Sequence, residues 1–126
     1  MAKNTDSTRT EHDALGDVSV PAESYGGRFY SRAKQNFQIS ELKAPRSFRT
    51  ALAWIKMAAA RVNADLGHLE PELAEAIEKA GAEFIDGKFD ECYDLDVYQA
   101  GAGTPFNMNL NEILANRASE LLGGKK

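Results

Sequence analysis

Between Arg46 and Leu66, the residues Phe48, Leu52, Ile55, Ala59, Val62 and Leu66 recur in alternating steps of four and three. Only a helix places residues at that spacing on one face. Ala51, Ala53, Ala58 and Ala60 around the stripe add helix propensity, and Gly67 suits a C-terminal stop. The spacing predicts a helix over Arg46 to Leu66 whose apolar seam must be covered by another helix. A second helix is expected from Pro71, the favoured first helical position, with Glu72 and Glu75 at the positive dipole end. Its face reads Leu73, Ile77, Ala80 and Phe84, and Asp86-Gly87 ends it. A third begins at Thr104, with Leu110, Leu114, Ala118 and Leu121 on one stripe and Gly123-Gly124 after it. The chain is therefore read as mainly α.

The remaining segments are weaker in pattern. Gly16-Asp17, flanked by Leu15, Val18 and Val20, predicts a short β-hairpin over His12 to Val20. Pro21-Ala22-Glu23 can open a helix, and Tyr25 to Asn36 reads as a short one despite Gly26-Gly27. Phe89 to Gln99 reads as extended or irregular chain. Residues 1–11 are almost wholly polar and are expected to form a disordered tail, leaving 12–126 as one domain. The tail lacks the apolar stretch of a secretory signal and the Arg-rich, acid-poor character of a mitochondrial presequence.

Composition narrows the function. Of 126 residues, 43% are hydrophobic and 27% charged, which suits a globular chain. Fifteen Lys and Arg stand against nineteen Asp and Glu, a net charge of -4. That balance disfavours nucleic acid as a partner. No apolar run reaches membrane-span length, so no membrane partner is expected. A single cysteine, Cys92, rules out an intrachain disulfide and fits a cytoplasmic protein. Cys92 reads as a small buried hydrophobe, and Trp54 as a packing residue. With His12 and His68, Cys92 makes no metal spacing, and neither metal nor cofactor is expected. His12 reads as a structural histidine bonded within the hairpin.

The segment Gln99-Ala100-Gly101-Ala102-Gly103-Thr104-Pro105 directly precedes the last helix. Gly101 and Gly103 can take positive φ and let backbone approach a ligand closely. Thr104 can cap the helix and Pro105 suits its first turn. Such a loop turns N–H groups and a positive dipole end outward, an arrangement that attracts carboxylate as readily as phosphate. It lacks the Lys-Ser/Thr of a phosphate loop, and no strand precedes it. Asn107, Asn109, Asn111 and Asn116 follow within ten residues. Asparagine competes for backbone hydrogen bonds and weakens a helix, so these amides either tie helices together or bind a polar ligand. Asn107 and Asn111 share the face nearest the loop, with Asn109 and Asn116 turned elsewhere.

Residues Gly101 to Ala118, G-A-G-T-P-F-N-M-N-L-N-E-I-L-A-N-R-A, closely resemble the first signature region of the fumarase/aspartase superfamily, G-x-G-T-x-x-N-M-N-x-N-E-x-x-A-N-R-A. Glu11-His12-Asp13-Ala14-Leu15-Gly16, Val20-Pro21-Ala22, Arg32-Ala33 and Asn36-Phe37-Gln38-Ile39-Ser40 resemble the family as well. The resemblance implies the helical N-terminal domain of a lyase. Family enzymes remove a proton next to a carboxylate and expel ammonia or water, giving fumarate from a small dicarboxylate. It further implies that Thr104 and the backbone at Ala102 and Gly103 contact the substrate carboxylate, supported by Asn107. Preorganised donors of this kind suit the doubly charged aci-carboxylate intermediate.

Family fumarases usually carry serine where this chain has Ala102, and Asp96-Val97-Tyr98-Gln99 is more similar to aspartases. The resemblance therefore implies aspartate ammonia-lyase first and fumarate hydratase second. One stretch departs from the family pattern: Tyr25-Gly26-Gly27-Arg28-Phe29-Tyr30-Ser31 has Gly26 and Tyr30 at its aromatic and threonine positions. Family enzymes are several times longer, are homotetramers, and draw their base from a serine on a later loop. No serine here matches that loop, so no catalytic residue is expected in this chain and the chain alone is expected to be inactive. The competing reading is a non-catalytic helical interaction module, supported by the seam on Arg46 to Leu66.

Overall fold

The computed structural model describes residues 7–126. Strands β1 (Thr8–Asp13) and β2 (Gly16–Pro21) form an antiparallel hairpin, followed by helices α1 (Arg28–Asn36), α2 (Arg46–Asp65), α3 (Pro71–Ile85) and α4 (Thr104–Leu121). Mainly α with a short hairpin near the start is thus the observed class. Pairing runs from Thr8 opposite Pro21 to Asp13 opposite Gly16. Thr8 to Glu11, expected in the tail, belong to β1; residues 1–6 of that tail lie outside the described residues. The turn also falls earlier than expected, at Ala14-Leu15. The Asp13 carboxylate accepts the Leu15 N–H at 2.8 Å, and Gly16 takes φ +106° to re-enter the sheet.

No helix opens at Pro21. The Arg9 guanidinium, on β1, donates to the carbonyls of Pro21, Ala22, Ser24 and Gly26 at 2.8–3.3 Å. Those carbonyls gather around one cation instead of lining up for a helical ladder. The helix starts only at Arg28, and two carboxylates from distant elements define where. Glu112 of α4 accepts the N–H groups of Gly27, Phe29 and Tyr30 at 2.9, 2.8 and 3.0 Å, while Glu11 of β1 accepts that of Arg28 at 3.0 Å. These satisfy the orphan donors of the first turn and place negative charge at its positive end. A Cβ on Gly27 would lie 2.8 Å from the Glu112 carboxylate, so only glycine admits this approach.

Helix α2 packs on α3 through a different face from the one the periodicity favoured. Ala53 and Ala60 are buried, and Met57 reaches into a space that a Cβ on Gly81 would close at 2.5 Å. Small residues let the two helices approach closely. The large stripe remains outside: Phe48, Ile55, Val62 and Leu66 are 43%, 63%, 53% and 63% exposed. Trp54 is exposed too, so it is not a packing residue within this chain. In α3, Ala80 and Phe84 are buried as expected, whereas Leu73 is exposed. In α4, Phe106, Leu110, Ile113 and Leu114 fill the core with Phe84, Phe89, Tyr93 and Leu95, and Ala118 is buried one turn further on.

The irregular stretch after α3 is held from both sides. A single turn of 3₁₀ helix spans Asp90–Cys92, and Asp96 accepts from the N–H groups of Ile39, Ser40 and Tyr98 and from the Ser40 hydroxyl. Those bonds hold the Asp96 carboxyl down at a pKa of about 2. Cys92 is buried, as expected, and burial pushes its thiol pKa up. Replacing Glu112 by alanine should strand the three N–H groups at the start of α1 and lower stability by about 2 kcal/mol in urea unfolding. A change within measurement error would show that α1 keeps its start without the carboxylate.

Candidate functional site

The glycine loop forms a single tight turn, Gly101–Gly103, in which three successive residues are left-handed: φ is +67° at Gly101, +52° at Ala102 and +88° at Gly103. Glycine takes this conformation without cost, but at Ala102 it stores strain of roughly 1–2 kcal/mol. The turn sets α4 off from the chain before it, with Gly103 as N-cap and Pro105 in the first turn. Thr104 is not the cap. It is the first helical residue, and its hydroxyl donates to the Gly101 carbonyl at 2.6 Å, as does its own N–H. No side chain caps α4, but the Thr104 N–H is spent on the Gly101 carbonyl and Pro105 has none, so only the remaining N–H groups at this end can meet whatever approaches the loop.

What approaches would meet an open depression of about 480 Å³. Its lining is Ala102, Gly103, Thr104, Phe106 and Asn107 from the loop and α4, with Phe48 and Leu52 from α2. All four residues expected to bind substrate therefore fall on one cavity. Below it the aromatic rings lock the start of α4. Tyr93 donates its hydroxyl to the Phe106 carbonyl at 3.2 Å, and the Phe48 and Phe106 rings meet edge to face at 5.7 Å. The Asn107 amide makes only a weak contact, 3.8 Å to the Met108 sulfur, which leaves its donors and acceptor for a ligand.

The four asparagines divide by environment. Asn116 ties α4 to the loop before α1, donating to the Tyr25 carbonyl at 2.9 Å. Asn111 rests near the Met108 sulfur beside Asn107. Asn109 is fully buried, and neither its amide nitrogen nor its oxygen has a partner among the described residues. A buried unpaired amide costs stability. The excess of asparagine pointed to these amides, but nothing in the pattern singled out Asn109. His12 is where the reading put it, in the hairpin, with Nδ1 2.8 Å from Asp17 Oδ1.

A charge network braces α4 against α3. The Arg117 guanidinium donates to both oxygens of Glu83 at 2.6 and 3.0 Å and to Glu120 at 2.6 Å, and Glu120 accepts the Tyr25 hydroxyl at 2.7 Å. Glu83 is only 8% exposed, and Arg117, with help from Lys88, pulls its carboxyl down to a pKa of about 2. The folded pKa lies below the ordinary value near 4.5, so the pair stabilises fully above that value and its contribution fades as pH falls to about 2. Stability measured by urea unfolding should fall across that window, on the order of 2 kcal/mol more in the wild type than in an Arg117→Met/Glu83→Leu double variant. Equal slopes in the two proteins would remove the network as the cause.

Comparison with known proteins identifies the family and the fold. A sequence family described as lyase matches residues 16–126. The chain belongs to the fumarase/aspartase superfamily and corresponds to its N-terminal domain. It is 48% identical over 119 residues to the class II fumarate hydratase of Bordetella parapertussis, covering 94% of this chain and 26% of that protein. Among solved structures it is similar to a fumarate lyase:delta crystallin from Brucella melitensis, with TM-score 0.89 and 41% identity over 94% of this chain and 28% of that one. It is equally close in shape to a class II fumarase from Schistosoma mansoni, with TM-score 0.89 and 38% identity over 95% of this chain and 26% of that one. The chain thus spans about a quarter of the length of these relatives. Among the described residues no helix is long and apolar enough to cross a membrane.

Proposed function

We propose that this chain is the carboxylate-binding N-terminal part of a fumarate hydratase that interconverts malate and fumarate. The reading rests on the convergence of Ala102, Gly103, Thr104 and Asn107 on one cavity at the uncapped start of α4. The choice of water over ammonia rests on the names of the relatives, a class II fumarate hydratase at 48% identity and a class II fumarase at 38%. That reverses the order of preference drawn from Ala102 and Asp96-Val97-Tyr98-Gln99. The loss of a single hydroxyl at position 102 weighs less than similarity along almost the whole chain. Aspartate ammonia-lyase remains the second reading, on Ala102 and Asp96-Val97-Tyr98-Gln99.

The chemistry proposed is loss of a proton from the carbon next to one carboxylate of malate, then loss of hydroxide as water from the neighbouring carbon. The doubly charged intermediate needs donors aimed at the carboxylate oxygens. The loop backbone at Ala102 and Gly103 supplies them, with the positive end of α4 behind. Thr104 joins them when its hydroxyl turns from the Gly101 carbonyl to the substrate, exchanging one hydrogen bond for another. The base comes from beyond this chain, and the whole enzyme works as a cytoplasmic homotetramer without metal or cofactor.

In the whole enzyme, Thr104→Ala should lower kcat/KM for malate by about 10²–10³, the usual loss for one oxyanion donor, while the lost bond to Gly101 lowers stability by about 1 kcal/mol or less. Turnover of malate but not aspartate is expected from the unaltered enzyme. Ammonia release from aspartate would favour the second reading, and an unchanged kcat/KM in Thr104→Ala would remove Thr104 from the site.

A further inference from the structure

The chain between β2 and α1 borders a second cavity of about 770 Å³, open to solvent on one side. It lies at the far end of α4 from the glycine loop. Tyr25, in its wall, bonds Glu120, and a helical rise of about 1.5 Å per residue puts Glu120 roughly 24 Å from Thr104. The walls are aromatic: Tyr25, Tyr30 and Phe89 line the cavity, with the Tyr25 and Phe89 rings 4.7 Å apart. Tyr30 stands there because Gly26 has no side chain. A Cβ at Gly26 would lie 2.6 Å from Cδ1 of the Tyr30 ring. Gly26 and Tyr30 are the two positions at which this stretch departs from the family pattern, so the wall they build is not part of that pattern.

Charge at the cavity is unbalanced. Of the four charged residues that line it, Lys88 is taken by Glu83 at 3.1 Å and Lys126 by Glu23 at 3.3 Å. The Glu91 carboxylate has no hydrogen-bond or ion-pair partner among the described residues. Cys92, also in the wall, adds no charge, because burial pushes its thiol pKa up. Aromatic rings with one free carboxylate attract a cation that has an apolar body. One cation is already seated there. The Lys126 ammonium lies 4.3 Å from the centroid of the Tyr25 ring and donates to the carbonyl and the carboxylate of Glu23, with only 15% of its side chain exposed. We propose that this cavity binds a small quaternary ammonium compound, its cationic head among the three rings and its charge balanced by Glu91.

The donor set decides against other cations. Among the described residues no three His, Cys, Asp or Glu side chains come together to ligate a metal ion. A primary ammonium brings three N–H groups that each need an acceptor, and Glu23 is already occupied by Lys126. A quaternary head brings none, so three rings and one free carboxylate meet its needs. The site is independent of the carboxylate-binding loop.

Calorimetric titration of the 126-residue chain with choline is the test, with its uncharged isostere dimethylbutanol titrated beside it. Saturable binding of choline is expected, at least about tenfold tighter than that of the isostere. Glu91→Gln, at an exposed position, should weaken choline binding by about fivefold and leave the isostere unaffected. Tyr25→Leu should weaken it by about tenfold, whereas Tyr25→Phe keeps the ring, loses only the bond to Glu120, and should stay within about twofold. Lys126→Gln removes the internal ammonium and should tighten choline binding by about threefold. Choline that does not bind, or binds no tighter than its isostere, overturns the proposal. So does an affinity that Glu91→Gln leaves unmoved, that Lys126→Gln fails to raise, or that Tyr25→Phe and Tyr25→Leu lower equally. Glu91→Gln and Lys126→Gln leave the core untouched, so they decide the matter even where Tyr25→Leu does not fold.

Discussion

The Glu112 carboxylate joins the two ends of this chain. From the middle of α4 it receives three backbone N–H groups at the start of α1, more than eighty residues earlier. It neutralises the positive end of α1 and holds α4 at a fixed height against the hairpin region, since Glu11 of β1 takes the fourth donor. The loop that carries Thr104 sits at the head of α4, so its position relative to the rest of the molecule is inherited from this joint. Asn116 and Glu120, both reaching Tyr25, and Arg117, reaching Glu83, repeat the tie one and two turns further along. The motif residues downstream of the loop are therefore largely scaffold.

How much of this could be read in advance depended on the range of the forces involved. The helices α2, α3 and α4 were legible because periodicity and local stop signals decide them. The start of α1 was not, because Arg9 and two carboxylates from other elements decide it, and no local pattern reports a partner 85 residues away. The hairpin turn was misplaced by about two residues because an aspartate side chain, not the glycine, closes it. The inward face of α2 was misjudged for a packing reason. Hydrophobic size selected Phe48, Ile55 and Val62, whereas close approach at Gly81 favours the alanine face with Met57.

The site shows the same division. Gly101 and Gly103 do take positive φ, and the four expected residues share a cavity. That Ala102 is left-handed as well, and that Thr104 binds back to Gly101 instead of capping, are consequences of three left-handed residues in succession. The strain at Ala102 and the unpaired amide of Asn109 both lower stability without any return inside this chain. Their place, in and just after the loop, fits a segment shaped for a ligand and for neighbours more than for its own fold.

The central claim is that the head of α4 binds a dicarboxylate through its backbone. The most direct test is to follow the amide resonances of the 126-residue chain during titration with malate at constant ionic strength. Saturable shifts confined to Ala102, Gly103, Thr104, Phe106 and the Asn107 side-chain amide are predicted, and matching chloride should leave them unmoved. Shifts scattered over basic side chains elsewhere, or none at the loop, would contradict the account.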